Sequence, residues 1–271
     1  MNLVTLAQLK RYCGIDTTFA TDDALLTRLI IDAEQWAEQA MQRSAKPIIA
    51  ARTFDFCDSR MLYFDDDLLE VVSITNGDGV AVTLTDLFYE PRRMYPKFGV
   101  GFEVGASDVW TYSTTPENAI GITAVWGYHD DWGNAWINSM DEVEDAAGIN
   151  ASVTAITVND VNGANLDNDS PRFSAGMLIK AESEWMDITA ATNSTTDTLA
   201  VKRAARGSTA ATHAKNTPIY VFSPARNVTG AIMTYCHWRY NQKNLRGQVY
   251  GYAGAVPEDI AALLPHPMRA G

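Results

Sequence analysis

The chain has 271 residues, of which 46% are hydrophobic and 20% charged, with a formal net charge of -12. This composition is that of an ordinary globular protein with one or two domains and enough apolar mass for a sizeable core. No apolar run reaches the roughly 18 residues of a membrane span. The N-terminus lacks a secretory signal pattern, so we expect a protein made in a cytoplasm, or built into a particle there.

The cysteine content excludes two classes of small stabilised protein. Cys13, Cys57 and Cys236 are far apart in the sequence, odd in number and form no CxxC pair. Neither a disulfide framework nor a zinc site is therefore indicated. We expect three free thiols, which in most proteins are buried.

The negative charge is concentrated in the first part of the chain. Residues 1–150 carry 24 acidic and 10 basic side chains, whereas residues 151–271 carry 9 acidic and 11 basic ones. An acidic half argues against wrapping nucleic acid through phosphate contacts. Such a surface either keeps the protein soluble or lets DNA slide past without adhering.

Two helices are predicted at the N-terminus. Thr5 and Gln8 have the spacing of a capping box, and Gly14 ends this first helix after about Tyr12. A second helix starts near Asp22 and is expected to end before Pro47. Its apolar residues recur at spacings of three and four and need a partner helix: Leu25, Leu26, Leu29, Ile30, Ala33, Trp36, Ala37, Ala40 and Met41.

Residues 48–137 form a first β region. From Ile48 to about Trp126 the hydrophobic period is two, as in half-buried antiparallel strands. Asn76–Gly79 is a strong turn signal with a return strand at residues 80–84. Asp65–Asp67 is interpreted as a solvated turn, because three adjacent carboxylates cannot all face one metal ion.

A second β unit is predicted at residues 151–223, after an acidic linker or short helix at 138–150. Several short strands in about 75 residues favour a small barrel or sandwich. Residues 177–180 and 184–188 form a predicted hairpin. The Asn/Asp-rich loop at 159–169 lacks the spacing and terminal Glu of a calcium-binding loop.

The C-terminal part returns to helical patterning. A helix from Pro224 to about Lys243 is the expected partner of the second helix. The predicted helix-pair interface contains Leu25, Leu29, Trp36, Ile232, Tyr235 and Tyr240. Residues 245–271 form an extended tail, in which an apolar mini-helix either docks on a neighbouring subunit or folds back on its own chain. The docking candidates are Pro257, Ile260, Leu263 and Leu264.

The order of these segments resembles the head–tail connector, or adaptor, proteins of tailed bacteriophages. The resemblance is carried by the helix pair, a strand around Leu62, the run at 68–74 and the strand 122–128 that closes on Trp-Gly-Tyr. The stretches 177–188 and 201–220, with an Arg-Gly turn, a His and Thr-Pro-Ile-Tyr, resemble a β module that recurs in phage structural proteins. Together they imply an α+β fold.

In that fold, a helical bundle of residues 1–47 with 224–264 accompanies a small antiparallel sheet and an inserted β-barrel or sandwich-like domain. The resemblance implies a virion structural protein that forms a ring of twelve subunits under the portal protein, assembled in the host cytoplasm. The ring would extend the DNA channel, without specific DNA binding, and offer a platform to tail or tail-completion proteins. The C-terminal segment would grip the portal.

Two other classes of function remain open at this point. A tail or baseplate protein would use its second β unit to bind a host-surface glycan or another tail protein. An enzyme would need a convergent catalytic set, and none of the four histidines lies beside a nucleophile and an orienting acid. His213 with Glu182 or Glu184 is too small a set for zinc. No catalytic, metal or cofactor site is therefore predicted.

Overall fold

A computed structural model describes residues 1–106, 109–242 and 256–265. These residues form two compact units. Unit 1 combines Met1–Gln42 with the described residues from Asn134 onward, and unit 2 is Arg43–Gly133. Unit 1 contains helices and one antiparallel sheet, and unit 2 contains a second antiparallel sheet. The predicted α+β class is therefore confirmed.

Four α-helices are present in the described residues, all in unit 1: α1 (Leu6–Tyr12), α2 (Asp23–Met41), α3 (Arg226–Asn241) and α4 (Glu258–Ala261). The capping box before α1 is confirmed, since Gln8 N–H donates to Thr5 Oγ1 and Thr5 N–H donates to Gln8 Oε1. Helix α2 ends at Met41, well before Pro47, which was expected to limit it. Gln42 adopts the left-handed conformation with φ of 55°, which turns the chain out of the helix.

Unit 2 is built on a five-stranded antiparallel sheet in the order β1-β5-β2-β4-β3. Its strands are β1 (Ile48–Phe54), β2 (Met61–Thr75), β3 (Leu87–Glu90), β4 (Lys97–Phe102) and β5 (Ile120–Trp126). The β1–β5 ladder is regular, with Ile48 opposite Trp126 and Phe54 opposite Ile120. The β2 ladders contain register shifts, so this strand bends along its length.

Two expectations for unit 2 were wrong. The turn predicted at Asp65–Asp67 is part of β2, because a register shift between Tyr63 and Leu68 absorbs the acidic residues without breaking the strand. The return strand predicted at residues 80–84 is only an isolated bridge between Thr75 and Ala81. A short 3₁₀ turn at Leu84–Asp86 then redirects the chain into β3.

The core of unit 2 is centred on Trp126, which is fully buried at the end of β5. Its ring contacts Phe54 and Phe64 at centroid distances of 5.8 and 5.5 Å. Its indole N–H donates to the carbonyl of Ala50 at 2.9 Å, so the polar edge of the ring is also satisfied. One side chain thus joins β1, β2 and β5.

The sheet of unit 1 has six antiparallel strands in the order β6-β11-β8-β9-β10-β7. They are β6 (Trp136–Glu142), β7 (Ala155–Thr157), β8 (Leu178–Ala181), β9 (Glu184–Thr192), β10 (Thr198–Lys202) and β11 (Pro218–Phe222). The predicted hairpin is the β8–β9 pair. The sheet is not a closed barrel. Glu144 N–H donates to Thr157 C=O just beyond β6, but no ladder joins β6 to the three-residue β7.

Strand β6 occupies part of the stretch that the sequence suggested as a linker. Its two most deeply buried positions hold Ser139 and Asp141, so no apolar alternation marks it. Ser139 Oγ donates to the carbonyl of Ile219 at 2.6 Å, and the Asp141 carboxylate accepts the N–H groups of Asn159 and Asp160. Hydrogen bonding replaces apolar packing at these positions, which conceals the strand in the sequence.

The N-terminus ties the helices of unit 1 to its sheet. Asn2 N–H donates to the carbonyl of Gly176 at 2.7 Å. Gln8 Nε2 donates to Asp169 at 3.1 Å, and Arg11 pairs with the same carboxylate at 2.5 Å. The first turns of the chain are therefore held by the loop between β7 and β8.

We expect Trp126→Ala to lower the free energy of unfolding of unit 2 by about 3–5 kcal/mol, because it removes a fully buried ring and leaves a cavity. The measurement is urea denaturation followed by hydrogen exchange of β1 and β5. Val104→Ala, at a strongly exposed position, is the control and should change stability by about 0.5 kcal/mol or less. Equal effects of the two substitutions would contradict the central role of Trp126.

Candidate functional site

The helix pair predicted from the sequence is formed by α2 and α3, which pack against each other. The ring of Trp36 stacks on that of Tyr235, with centroids 5.0 Å apart and planes 19° from parallel. Tyr240 Oη donates to Asp22 Oδ2 at 2.6 Å, near the start of α2. The contact therefore runs along both helices, with aromatic stacking at one end and a hydrogen bond at the other.

The remaining predicted interface residues differ in their placement. Leu29 and Ile232 are buried, whereas Leu25 is 38% exposed. At 100° per residue, Leu25 lies roughly 70° from the centre of the face formed by Leu26, Leu29 and Ala33, and so at the edge of that face. The sequence pattern was broader than the buried stripe, and Leu25 lies at the edge that the structure leaves in solvent.

The C-terminal mini-helix α4 packs against α3. Ile260 and Leu264 are buried, Pro257 is half-buried at the N-cap, and Leu263 is 46% exposed. Of the four docking candidates, two are thus folded onto their own chain and one is available to a partner. The rest of the predicted tail, residues 245–255 and 266–271, lies outside the described residues.

The sheet of unit 1 contains a buried polar network around Glu184. Arg203 donates to both of its carboxylate oxygens, at 2.7 and 2.6 Å, and Ala211 N–H donates at 2.9 Å. His213 lies between two carboxylates, with Nε2 2.9 Å from Glu184 Oε2 and Nδ1 2.8 Å from Glu182 Oε2. Glu184 and His213 are both buried.

The remaining donors of Arg203 show what this network does. They reach the carbonyl oxygens of Asn150, Val153 and Ala211, each at 2.6 or 2.7 Å. The guanidinium therefore fixes two loops to the start of β9. Since the Glu184 oxygens are occupied by these donors, the cluster holds the chain in place and presents no free base to a substrate.

The sequence drew attention to Glu182, Glu184 and His213 but missed Arg203, which donates to both carboxylate oxygens of Glu184. Nothing in the spacing signals this partner, because its role depends on the fold of the β9–β10 hairpin. The same holds for Arg172, which lies 3.5 Å from Asp141 and donates to the carbonyl of Met140. Such pairs emerge only from the three-dimensional structure.

Hydrogen bonding has a marked effect on the acidity of Glu184. Burial raises its pKa, but the donors Arg203, Ala211 N–H, His213 and Ala204 N–H outweigh this and lower the pKa from 4.5 to about 2. The folded pKa is below the unfolded one. The stabilisation is therefore fully present above pH 4.5 and is lost as the pH falls towards 2.

The Asn/Asp loop uses its oxygen atoms internally. Asp160 Oδ1 accepts the N–H groups of Asn162 and Gly163, and Asn165 Oδ1 accepts those of Asp167 and Asp169. Within the described ranges, no group of three or more His, Cys, Asp or Glu residues is arranged to hold a metal ion. In the same ranges, no helix has the length and apolar character needed to cross a bilayer.

The pKa of Glu184 leads to a prediction on acid stability. Between pH 4.5 and 2 the free energy of unfolding of unit 1 should fall by about 3 kcal/mol more than in Glu184→Gln, which cannot titrate at this position. The measurement is chemical denaturation at several pH values, followed by hydrogen exchange of β8 and β9. Parallel pH profiles for the two proteins would show that the network does not lower the pKa of Glu184.

Comparison with known proteins found a similarity in the N-terminal part of the chain. The family model described as phage gp6-like head-tail connector protein matches residues 3–72. These residues include α1, α2, β1 and most of β2. The comparisons with curated proteins and with solved structures found no match.

The family is a structural one and not an enzyme family. The resemblance read from the sequence is thereby confirmed: residues 3–72 of this chain are similar to the phage gp6-like head-tail connector proteins.

Proposed function

We propose that this protein is a head–tail adaptor that assembles as a ring, of twelve subunits by resemblance, beneath the portal of a tailed phage. The ring extends the DNA channel and gives the tail its attachment platform. The observation that carries the proposal is the family match over residues 3–72, which includes the helix that pairs with α3. No specific DNA binding is needed for this role.

The charge distribution supports passage of DNA without adhesion. The first 150 residues hold 24 of the 33 acidic side chains of the protein. Acidic groups that line a channel repel the phosphate backbone, so DNA moves without forming contacts that must later break. The second half is close to neutral and is better suited to protein partners.

The exposed side chain on α4 supports a contact with the portal. Leu263 lies in solvent while Ile260 and Leu264 hold α4 on α3. Docking through Leu263 leaves α4 in place, whereas docking of Pro257, Ile260, Leu263 and Leu264 together requires α4 to leave α3. In either case a large apolar side chain at position 263 becomes buried in the partner.

The alternative of a glycan-binding tail or baseplate protein has less support. It requires exposed aromatic side chains on the second β unit. Residues 151–223 are all described, and the large hydrophobic side chain exposed there is Leu166, at 65%. Phe173 and Trp185 are buried. Phe222 is also buried and Tyr220 is half-buried, so no aromatic side chain of residues 151–223 is fully exposed for a sugar ring to stack on.

The experiment is negative-stain electron microscopy of this protein mixed with the portal ring of its own phage. We expect an additional ring on the narrow end of the portal, whose image classes give the number of subunits. No additional density at saturating protein would refute the adaptor proposal.

Leu263→Asp should remove the additional ring without unfolding the protein, because the side chain is exposed in the free subunit. Ala261→Asp, at an exposed position of the same helix, is the matched control and should leave the ring intact. Binding that survives Leu263→Asp would exclude α4 as the docking segment, while the ring itself would still support the adaptor.

A further inference from the structure

Strand β1 is an edge strand whose outer side is open. It is the first strand in the order of the unit 2 sheet and pairs only with β5. Gly127 N–H donates to Asp67 on the β2 side, and Tyr128 N–H donates to Ser44 on the β1 side. The N–H and C=O groups of successive residues in a strand point to opposite sides of it. Those of the even-numbered residues of β5 therefore point towards β1. Their partners in β1 are likewise even-numbered.

The backbone groups of Ile49, Ala51 and Thr53 therefore point away from the sheet. Consistent with this alternation, the carbonyl of Ala50 accepts from the indole of Trp126 on β5. Beyond the β1–β5 ladder, no backbone hydrogen bond of the described residues involves Ile49, Ala51 or Thr53. The side chains of Ile48, Ala51 and Thr53 are exposed.

This edge lacks the features that normally prevent strand pairing. Proteins protect edge strands by shortening them, bulging them, placing proline or charge on them, or covering them with a loop. β1 is seven residues long, its ladder has no bulge, and its one charged side chain, Arg52, forms an ion pair with Asp66. Proline occurs only before the strand, at Pro47.

The other sheet edges do carry such features. Leu166 N–H donates to the carbonyl of Asn138 and Arg172 donates to that of Met140, so a loop covers β6. β7 has only three residues. β3 has four residues and is followed by Pro91. Among the four edges of the two sheets, β1 is thus the one suited to accept another strand.

We propose that β1 pairs, antiparallel, with β1 of a second copy of this chain, in the register centred on Ala51, before the protein is built into the virion. In this register Ala51 lies opposite Ala51 of the other copy, and Ile49 lies opposite Thr53. All the outward-facing N–H and C=O groups of both strands then find partners. The contact is isologous, since the same surface is used twice.

The side chains also match in this register. Ile48, which is 40% exposed, lies opposite the half-buried Phe54 of the other copy, so each covers the other. Arg52 lies opposite Ala50, and no like charges face each other directly. A head-to-tail pairing of β1 with β3 would be parallel, because β1 and β3 run in the same direction within the sheet. It would also use only a four-residue strand, which makes it weaker.

The self-paired state has a consequence for assembly. Neighbours in a ring contact each other through two different surfaces, and a single ring beneath one portal has no place for two-fold partners, so the β1 contact must open when a subunit joins that ring. Pairing through β1 thus protects an open edge in the free protein and delays assembly until a portal is present. The dimer itself does not depend on the adaptor role, so either proposal can fail alone.

The first test is the mass of the full-length protein by sedimentation equilibrium and light scattering. We expect a dimer at micromolar concentration. Ala51→Pro should weaken it by at least about 100-fold, because proline removes the central N–H donors and obstructs the approach of the second strand. Proline is tolerated where the N–H faces solvent, so the monomer should keep its circular dichroism spectrum. A wild-type protein that stays monomeric would overturn the proposal.

Charge and cross-linking variants test the register without relying on proline. Ala51→Lys places two ammonium groups opposite each other and should weaken the dimer by about tenfold, whereas Thr53→Lys, which faces Ile49, should weaken it less. Ala51→Cys should give a covalent dimer under mild oxidation by copper phenanthroline, beyond the background of the natural cysteines. Thr53→Cys should not exceed that background. Equal cross-linking at the two positions, or species larger than a dimer, would exclude the two-fold register.

Discussion

The pairing of α2 with α3 is the contact on which the rest of the chain depends. Helix α2 has an apolar stripe over most of its length, and the short α1 cannot cover it. Its partner begins at Arg226, so the chain must leave the helix pair after Gln42, form both sheets and return. The entropic cost of closing a loop rises only slowly with its length, so a large insertion is compatible with a stable helix pair. The stack of Trp36 on Tyr235 closes that loop.

A second physical constraint acts inside the sheet of unit 1, where charged groups replace apolar packing at several buried positions. Glu184 with Arg203 and His213, and Asp141 with Arg172, connect loops that are distant in sequence. Loss of one partner leaves an uncompensated buried charge, so each pair disfavours alternative arrangements of the loops it holds. This explains how a unit with short strands and long loops keeps a defined shape.

The success of the sequence-based predictions depended on whether buried positions are apolar. The helices, β1, β5 and the β8–β9 hairpin have periodic apolar residues, and their predicted positions were close to those observed. β6 was missed because Ser139 and Asp141 are its buried residues. The turn predicted at Asp65–Asp67 lies within a strand, because a local bulge leaves no periodic signal. The helix pair was predicted from the helical spacing of apolar residues in both segments, but the role of Arg203 was not, since its partners are set by tertiary structure.

The family match covers only the N-terminal part of the molecule, residues 3–72. Residues 3–72 contain α2, which pairs with α3, and the open strand β1, whereas α4, which carries the proposed portal contact, lies outside the matched segment. The sheet of unit 1 lies outside it, and its polar groups are directed inward to hold its own loops. The loop between its strands β7 and β8 is fixed to α1 by the ion pair of Asp169 with Arg11. The matched segment thus contains one of the two proposed contact surfaces, strand β1, and the sheet of unit 1 contains neither of them.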